Sequence, residues 1–239
     1  MTSALVHSPS GNYSFLAAEG KPFSRGAVAD RGFDLVHATF ERPIPLDTGL
    51  EAAARHVSRA GRPVESIVGF ELRIPRPLAQ AAFVEFNRPY VSTLRRMGLE
   101  VDGLMTAGRS NVSPTLHRVE QPSVFGFTFT VPGTSGRPAF LLSGVPAEVD
   151  GDARAMLKNI TAILNATAGE MACRLSDATV IQLYADVGVD TAVVAEVLHD
   201  FGDAAIRGLQ WFPSMPPIEG LTYEIDARST GTESSIRPE

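Results

Sequence analysis

Cysteine occurs once in the 239 residues, at Cys173, so no intrachain disulfide can form and a cysteine-rich zinc site is excluded. The N-terminus has no positively charged start and no uninterrupted apolar core, and no segment reaches the roughly 18 apolar residues of a membrane helix. Both features predict a cytoplasmic chain in a reducing compartment. Positive charge is also scarce: 21 Lys+Arg stand against 27 Asp+Glu, a net −6 at pH 7, a poor match to phosphate backbones or anionic membranes. Nucleic acid and membrane are not expected partners. Lysine itself appears only as Lys21 and Lys158; the rest of the basic residues are arginines, whose planar forks suit carboxylates or phosphates, although a compositional bias of the genome is the better explanation of their number. There is no G-x-S-x-G, no P-loop, no H-E-x-x-H and no G-x-G-x-x-G after a strand. His7, His37, His56, His117 and His199 lack ligand spacing and read as surface or packing residues. No metal and no cofactor is implied.

What is present is enough apolar side chain, 44% of residues, to build a proper core. Residues 33–40 (FDLVHATF) read as a strand broken by Pro43 and Pro45, after an edge strand at 13–18. Leu50, Ala53, Ala54 and Val57 recur at helical spacing up to Gly61. Residues 67–74 (IVGFELRI) partly alternate, with Phe70, Leu72 and Ile74 on one face. A helix follows over 78–97, with Pro89 a kink, and then strands at 109–116 and 124–131. Residues 132–137 (PGTSGR) read as a linker.

Beyond the linker the order returns: strand 139–142, helix 153–168, strand 178–185, helix 191–201, and strands near 207–212 and 221–227. Gly61 and Gly169 stand 108 residues apart, and Leu72 and Leu183 stand 111 apart. Two offsets this close predict a tandem duplication, with a first unit over 1–132, a shortened second unit over 137–229 and a frayed polar tail over 230–239.

Three stretches carry a resemblance. Residues 83–90 (FVEFNRPY) contain F-x-x-x-N-x-x-Y at Phe83, Asn87 and Tyr90; Arg109 and Ser110 follow Gly108 into a strand; and 223–227 (YEIDA) is similar to a final-strand E-I-E-A. The chain resembles the Rid family, the YjgF-like reactive-intermediate deaminases. The resemblance implies an α+β fold of two chorismate-mutase-like pseudo-repeats, each a mixed sheet with two helices packed on one face. It also implies a homo-oligomer, a trimer being favoured, with sites between neighbouring domains. In such a site Arg109 or Arg207 holds a substrate carboxylate, Glu224 positions or activates water, and Ser143, Gly144, Asn87, Tyr90 and Phe23 shape the pocket.

The departures bear on which half works. The strand 125–129 (FGFTF) has no carboxylate where the family has Glu, Phe23 replaces the tyrosine of P-Y-x-x-G, and the helix near Val193 lacks the Asn. Each half is incomplete alone, and one interface could combine residues from both. The bland readings are surface or interface ion pairs for Arg109 and Arg207, a solvent-facing Glu224, and a core Tyr90 with its hydroxyl at the rim. The expected activity is Rid-like hydrolysis of a small carboxylate-bearing imine, enamine or related unsaturated metabolite. The alternatives are a non-catalytic carboxylate binder or scaffold and a chorismatase-like hydrolase; a ribonuclease comes third, against the acidic balance.

Overall fold

The computed structural model describes residues 5–18, 23–134, 136–145 and 152–237. Its strands are β1 (Leu5–Ser8), β2 (Tyr13–Ala17), β3 (Ser24–Ala29), β4 (Phe33–Pro45), β5 (Ile67–Arg73), β6 (Glu100–Val101), β7 (Leu104–Met105), β8 (Gly108–Pro114), β9 (Ser123–Pro132), β10 (Phe140–Gly144), β11 (Val180–Ala185), β12 (Gln210–Met215), β13 (Glu224–Ser229) and β14 (Thr232–Ile236). The helices are α1 (Leu46–Arg59), α2 (Gln80–Arg96), α3 (Ala153–Glu170) and α4 (Thr191–Leu198). Twelve strands form one sheet in the order β1-β2-β3-β10-β13-β11-β12-β8-β5-β9-β4-β14, and β6 and β7 make a small ribbon.

The centre of this sheet reads the same from both sides. β12 and β8 pair antiparallel in the middle. Outward from them β11 and β5 pair parallel to their neighbours, and β13 and β9 then pair antiparallel. One apolar cluster, including Leu157, Ile160, Leu164, Leu183 and Ile225, sits between α3, α4 and the second half's strands. Another, including Leu50, Val57, Phe70, Leu72, Leu94 and Phe127, lies under α1 and α2. Phe70 and Leu72 fall on the face the alternation predicts, toward the helices.

The sheet also folds back on itself. A third cluster joins Tyr13, Phe15 and Leu141 to Val68 of β5. At Gly69 an added Cβ would overlap the Leu141 Cδ2, so glycine there leaves room for the end of that side chain. The polar face of each half-sheet is thereby enclosed: Glu71 and Arg73 on β5 and Glu224, Asp226 and Arg228 on β13 are all buried.

Several element expectations change. β4 continues through Pro43 and Pro45 by shifting register between Thr39 and Ile44, which lets an edge segment absorb the missing N–H groups. α3 runs past Gly169 and is ended by Ala172 at φ 56°. The last helix is shorter, giving way after Leu198 to a 3-10 segment, His199–Arg207. Of the expected frayed tail, Pro238 and Glu239 lie outside the described residues, but Thr232–Ile236 is a strand paired in parallel with β4. Strand pairing therefore does not follow the 1–132 and 137–229 division: β1 to β3 extend the second half's sheet through β10, and β14 extends the first half's through β4. No helix among the described residues is long and apolar enough to cross a membrane.

Candidate active site

β8 begins at Gly108, beside α2, and places Arg109 against that helix. The Arg109 guanidinium lies 3.7 Å from the centroid of the Phe23 ring and 5.6 Å from those of Phe83 and Tyr90. Three aromatic rings hold the charge by their faces and leave its N–H edge for a ligand. Among the described residues it forms no ion pair, and its Nη1 is enclosed without a hydrogen-bond partner. Burial pulls its pKa below the ordinary arginine value, while Tyr90 and Glu224 act in the opposite direction. An enclosed cation with no countercharge in contact is arranged for an anion.

α2 supplies the surrounding wall. Asn87 and Tyr90 are buried on one face at i and i+3. Asn87 Nδ2 donates to the Phe83 carbonyl at 2.7 Å, leaving its Oδ1 unpartnered, and the Tyr90 hydroxyl also lacks a partner. Burial pushes the Tyr90 phenol well above its ordinary value, so it stays a neutral donor. Along α2 a cavity of ≈ 540 Å³ is lined by Phe23, Phe83, Asn87 and Arg109, with Ile218 across from the helix. Ile218 is held there by the bridge to Leu78 and by hydrogen bonds from Leu78 to Pro217 and from Glu219 to Leu78. That volume suits a small metabolite.

Arg109 also lines a second cavity of ≈ 20 Å³, together with Ser110, Ser143, Asp226 and Glu71 among others. Glu224, at the start of β13, is buried, and the Ser143 hydroxyl donates to its Oε1 at 3.4 Å. Burial and then the neighbouring Asp226 raise the Glu224 carboxyl well above the carboxylate range, against Ser143, Arg73 and Arg109. A carboxyl whose pKa is raised keeps its proton to higher pH than an ordinary one, and can donate it and later take one from water.

The structure thus gathers Phe23, Asn87 and Arg109 from the first half around one cavity, with the Tyr90 ring against Arg109, Ser143 of the second half beside Arg109 in the smaller cavity, and the charge of Glu224 acting on it. Two other expected site residues stand elsewhere. Arg207 is exposed at the end of the 3-10 segment and lines neither cavity. Gly144 faces α3, where an added Cβ would meet Leu164 and Ile160, so its smallness serves helix packing.

Behind the site lies an ionic network that the sequence reading passed over, buried at His37, Glu71, Arg73 and Arg228 and open to solvent at Glu233. His37 Nδ1 meets Glu233 Oε2 at 2.6 Å and its Nε2 meets Glu71 Oε1 at 2.9 Å. Arg73 donates to Glu71 at 3.0 Å, and Arg228 donates to Glu233 at 2.9 and 3.0 Å. The available signal was the charge at every second position of 71–73 and 224–228, which places Glu71 and Arg73 on one face of β5 and Glu224, Asp226 and Arg228 on one face of β13. Among the described residues no cluster of three or more His, Cys, Asp or Glu could hold a metal ion.

A family model described as 2-aminomuconate deaminase CnbZ matches residues 5–234. A 2-amino-5-chloromuconate deaminase of Comamonas testosteroni is 34% identical over 260 residues, covering 99% of this chain and 100% of that protein. Among solved structures, a chorismatase is similar over 85% of this chain and 77% of its own, at 13% identity and a TM-score of 0.45. A member of the YjgF/YER057c/UK114 family from Mycobacterium tuberculosis is similar over 39% of this chain and 80% of its own, at 18% identity and a TM-score of 0.32.

Proposed function

Since the chain belongs to the 2-aminomuconate deaminase CnbZ family, we propose that it releases ammonia from a small carboxylate-bearing enamine of the 2-aminomuconate type, by Rid-type hydrolysis. The observation that carries this reading is Arg109: a buried, unpaired guanidinium held by three ring faces and lining a metabolite-sized cavity, with the buried Glu224 carboxyl, its pKa raised by burial, acting on it. Family membership favours a deaminase over the non-catalytic binder and over the chorismatase-like hydrolase.

The residues then take these roles. Arg109 grips the carboxylate beside the amino-bearing carbon, and Asn87 and Tyr90 orient the rest. Glu224 gives its proton to the enamine carbon as the nitrogen lone pair forms C=N⁺. The resulting carboxylate takes a proton from the water that adds to the iminium carbon. The same proton goes to nitrogen, ammonia leaves, and the remaining hydroxyl proton returns to Glu224 as C=O forms. Enamine and water become 2-oxo acid and ammonia, and the enzyme ends as it began.

We read the two halves as duplicated units that have diverged, with one working site made jointly. The mirrored strand order supports this, as do three equal spacings: α1 and α3 end 111 residues apart, the positive-φ residues Gly61 and Ala172 are 111 apart, and the 3-10 turns Val64–Ser66 and Leu175–Asp177 are 111 apart. Assembly as a trimer remains part of the same reading.

The test follows loss of 2-aminomuconate and release of ammonia by the parent protein, Arg109→Ala, Arg207→Ala and Glu224→Gln. Turnover that falls by about 10³ or more in Arg109→Ala and Glu224→Gln, and less than about two-fold in Arg207→Ala, is expected. No turnover by the parent, or equal small effects at both arginines, would sink the reading.

A further inference from the structure

Asp226 is as buried as Glu224, each 3% exposed, and the roles above leave it unused. The two carboxyls stand at i and i+2 on the same face of β13. Ser143 lies opposite Asp226 in the β10–β13 register and donates to Glu224, so its hydroxyl stands between them. Asp226 Oδ1 has no partner and belongs to the wall of the ≈ 20 Å³ cavity that Arg109, Ser110 and Ser143 also line. That space holds about one water.

Resting on the deaminase reading of Glu224, we propose that Asp226 is a positioning residue: across Ser143 and this cavity, its charge holds the proton on Glu224 until an enamine arrives to take it. A buried carboxylate beside a second buried carboxyl disfavours ionisation of its neighbour, so the two titrate as a linked pair with the second proton held to higher pH than an isolated carboxyl holds it. Their surroundings fix the balance. Glu224 is faced by Asp226 on its own strand, Arg73 from β5, Arg109 from β8 and Ser143 from β10. Asp226 is faced by Glu71 from β5, Arg228 on its own strand, Ser110 from β8, Ser143 from β10 and Tyr184 from β11. Burial raises both carboxyls; Asp226 has the hydroxyls of Ser143 and Ser110 and the charge of Arg228 on its anion and is the one that ionises first. An ionised Asp226 next to Glu224 makes Glu224 an acid of the right form for carbon protonation, with no metal or external donor in the step.

The experiment uses the full-length protein with ¹³C-carboxyl-labelled Glu and Asp, with Glu224→Gln assigning the Glu224 resonance. In the parent, the Glu224 and Asp226 carboxyl resonances should each report two linked titration steps; independent single steps would overturn the proposal without any variant. In Asp226→Asn the Glu224 step should move to lower pH by about one unit or more, and Asp226→Glu should restore it. The pH profile of kcat/KM for 2-aminomuconate should follow: the alkaline limb moves acidward by the same amount in Asp226→Asn, while the plateau below it is retained. A Glu224 titration unchanged in Asp226→Asn, or a loss of activity equal at every pH, would overturn the role. Absence of turnover by the parent would instead bring down the deaminase reading, and the resonances would still decide the coupling of the pair.

Discussion

Arg109 shows how little of a site residue's value lies in its charge alone. Its fork is positioned by ring faces and has no carboxylate in contact, so a flexible ammonium at the same place would lose both the stacking and the paired donors. Arg109→Lys is therefore expected to lower kcat/KM by about 10² or more while the thermal midpoint changes little, read by steady-state kinetics beside a melt. Phe23→Ala removes the nearest ring and should raise KM by roughly 3- to 30-fold, the range of one cation–π contact, with a smaller effect on kcat; an unchanged KM would show that the ring is only packing. At this scale the sequence was readable where a motif tied residue types to one element: Phe83, Asn87 and Tyr90 share a helix face because 3.6 residues make a turn. Sequence could not say which of Arg207 and Arg109 serves, since both read as the opening residue of a strand; the structure separates them, with Arg109 inside β8 against three rings and Arg207 exposed at the end of the 3-10 segment.

Among the elements, the Leu141 side chain of β10 packs over β5 at Gly69, where the absence of a side chain leaves it room. Gly69→Ala should destabilise by about 1–3 kcal/mol through overpacking against Leu141, and the added change Leu141→Ala should recover part of that loss, checked by a double-mutant cycle of denaturant melts. β14 is the element the sequence hid most fully. Residues 229–236 (STGTESSI) are polar and lack the alternation of a half-buried strand, yet Thr232–Ile236 pairs with β4 from Val36 to Phe40 and delivers Glu233 to His37 and Arg228. Ending the chain before Gly231 should lower the melting temperature and leave His37, Glu71 and Arg228 out of balance, a penalty expected to exceed that of cutting an ordinary terminus.

In the molecule as a whole, the ionic network joins β4, β5, β13 and β14, and its protonation should govern stability. Burial disfavours the His37 imidazolium, but the charge of Glu71 and the hydrogen bonds of Glu233 and Glu71 outweigh it and raise its pKa. Burial also opposes the Glu233 and Glu71 anions, yet His37, with Arg228 or Arg73, depresses both, Glu233 to about 2. The His37 contribution is present below the ordinary histidine value of 6.5 and is lost as pH rises through its higher folded value. The carboxylate contributions are present above the ordinary 4.5 and are lost as pH falls through their lower folded values. The raised carboxyls of Glu224 and Asp226 add to the loss on the alkaline side. Thermal midpoints measured from pH 4 to 9 should peak between those ordinary values, near pH 5–6, and His37→Gln should lower the peak and flatten the decline above it. The amino-acid sequence by itself determined the mixed α+β class, the helix and strand order, and most of the residues around Arg109, because periodicity and short motifs are local properties of the chain. Only the tertiary structure decided that the alternating charges of β5 and β13 face each other inside the protein instead of meeting water, that the termini exchange strands between the halves, and that the charge of Glu224 acts on Arg109. Those facts depend on how distant strands pair and on which way the sheet closes, and alternation along a strand names its two faces without saying what will cover either one.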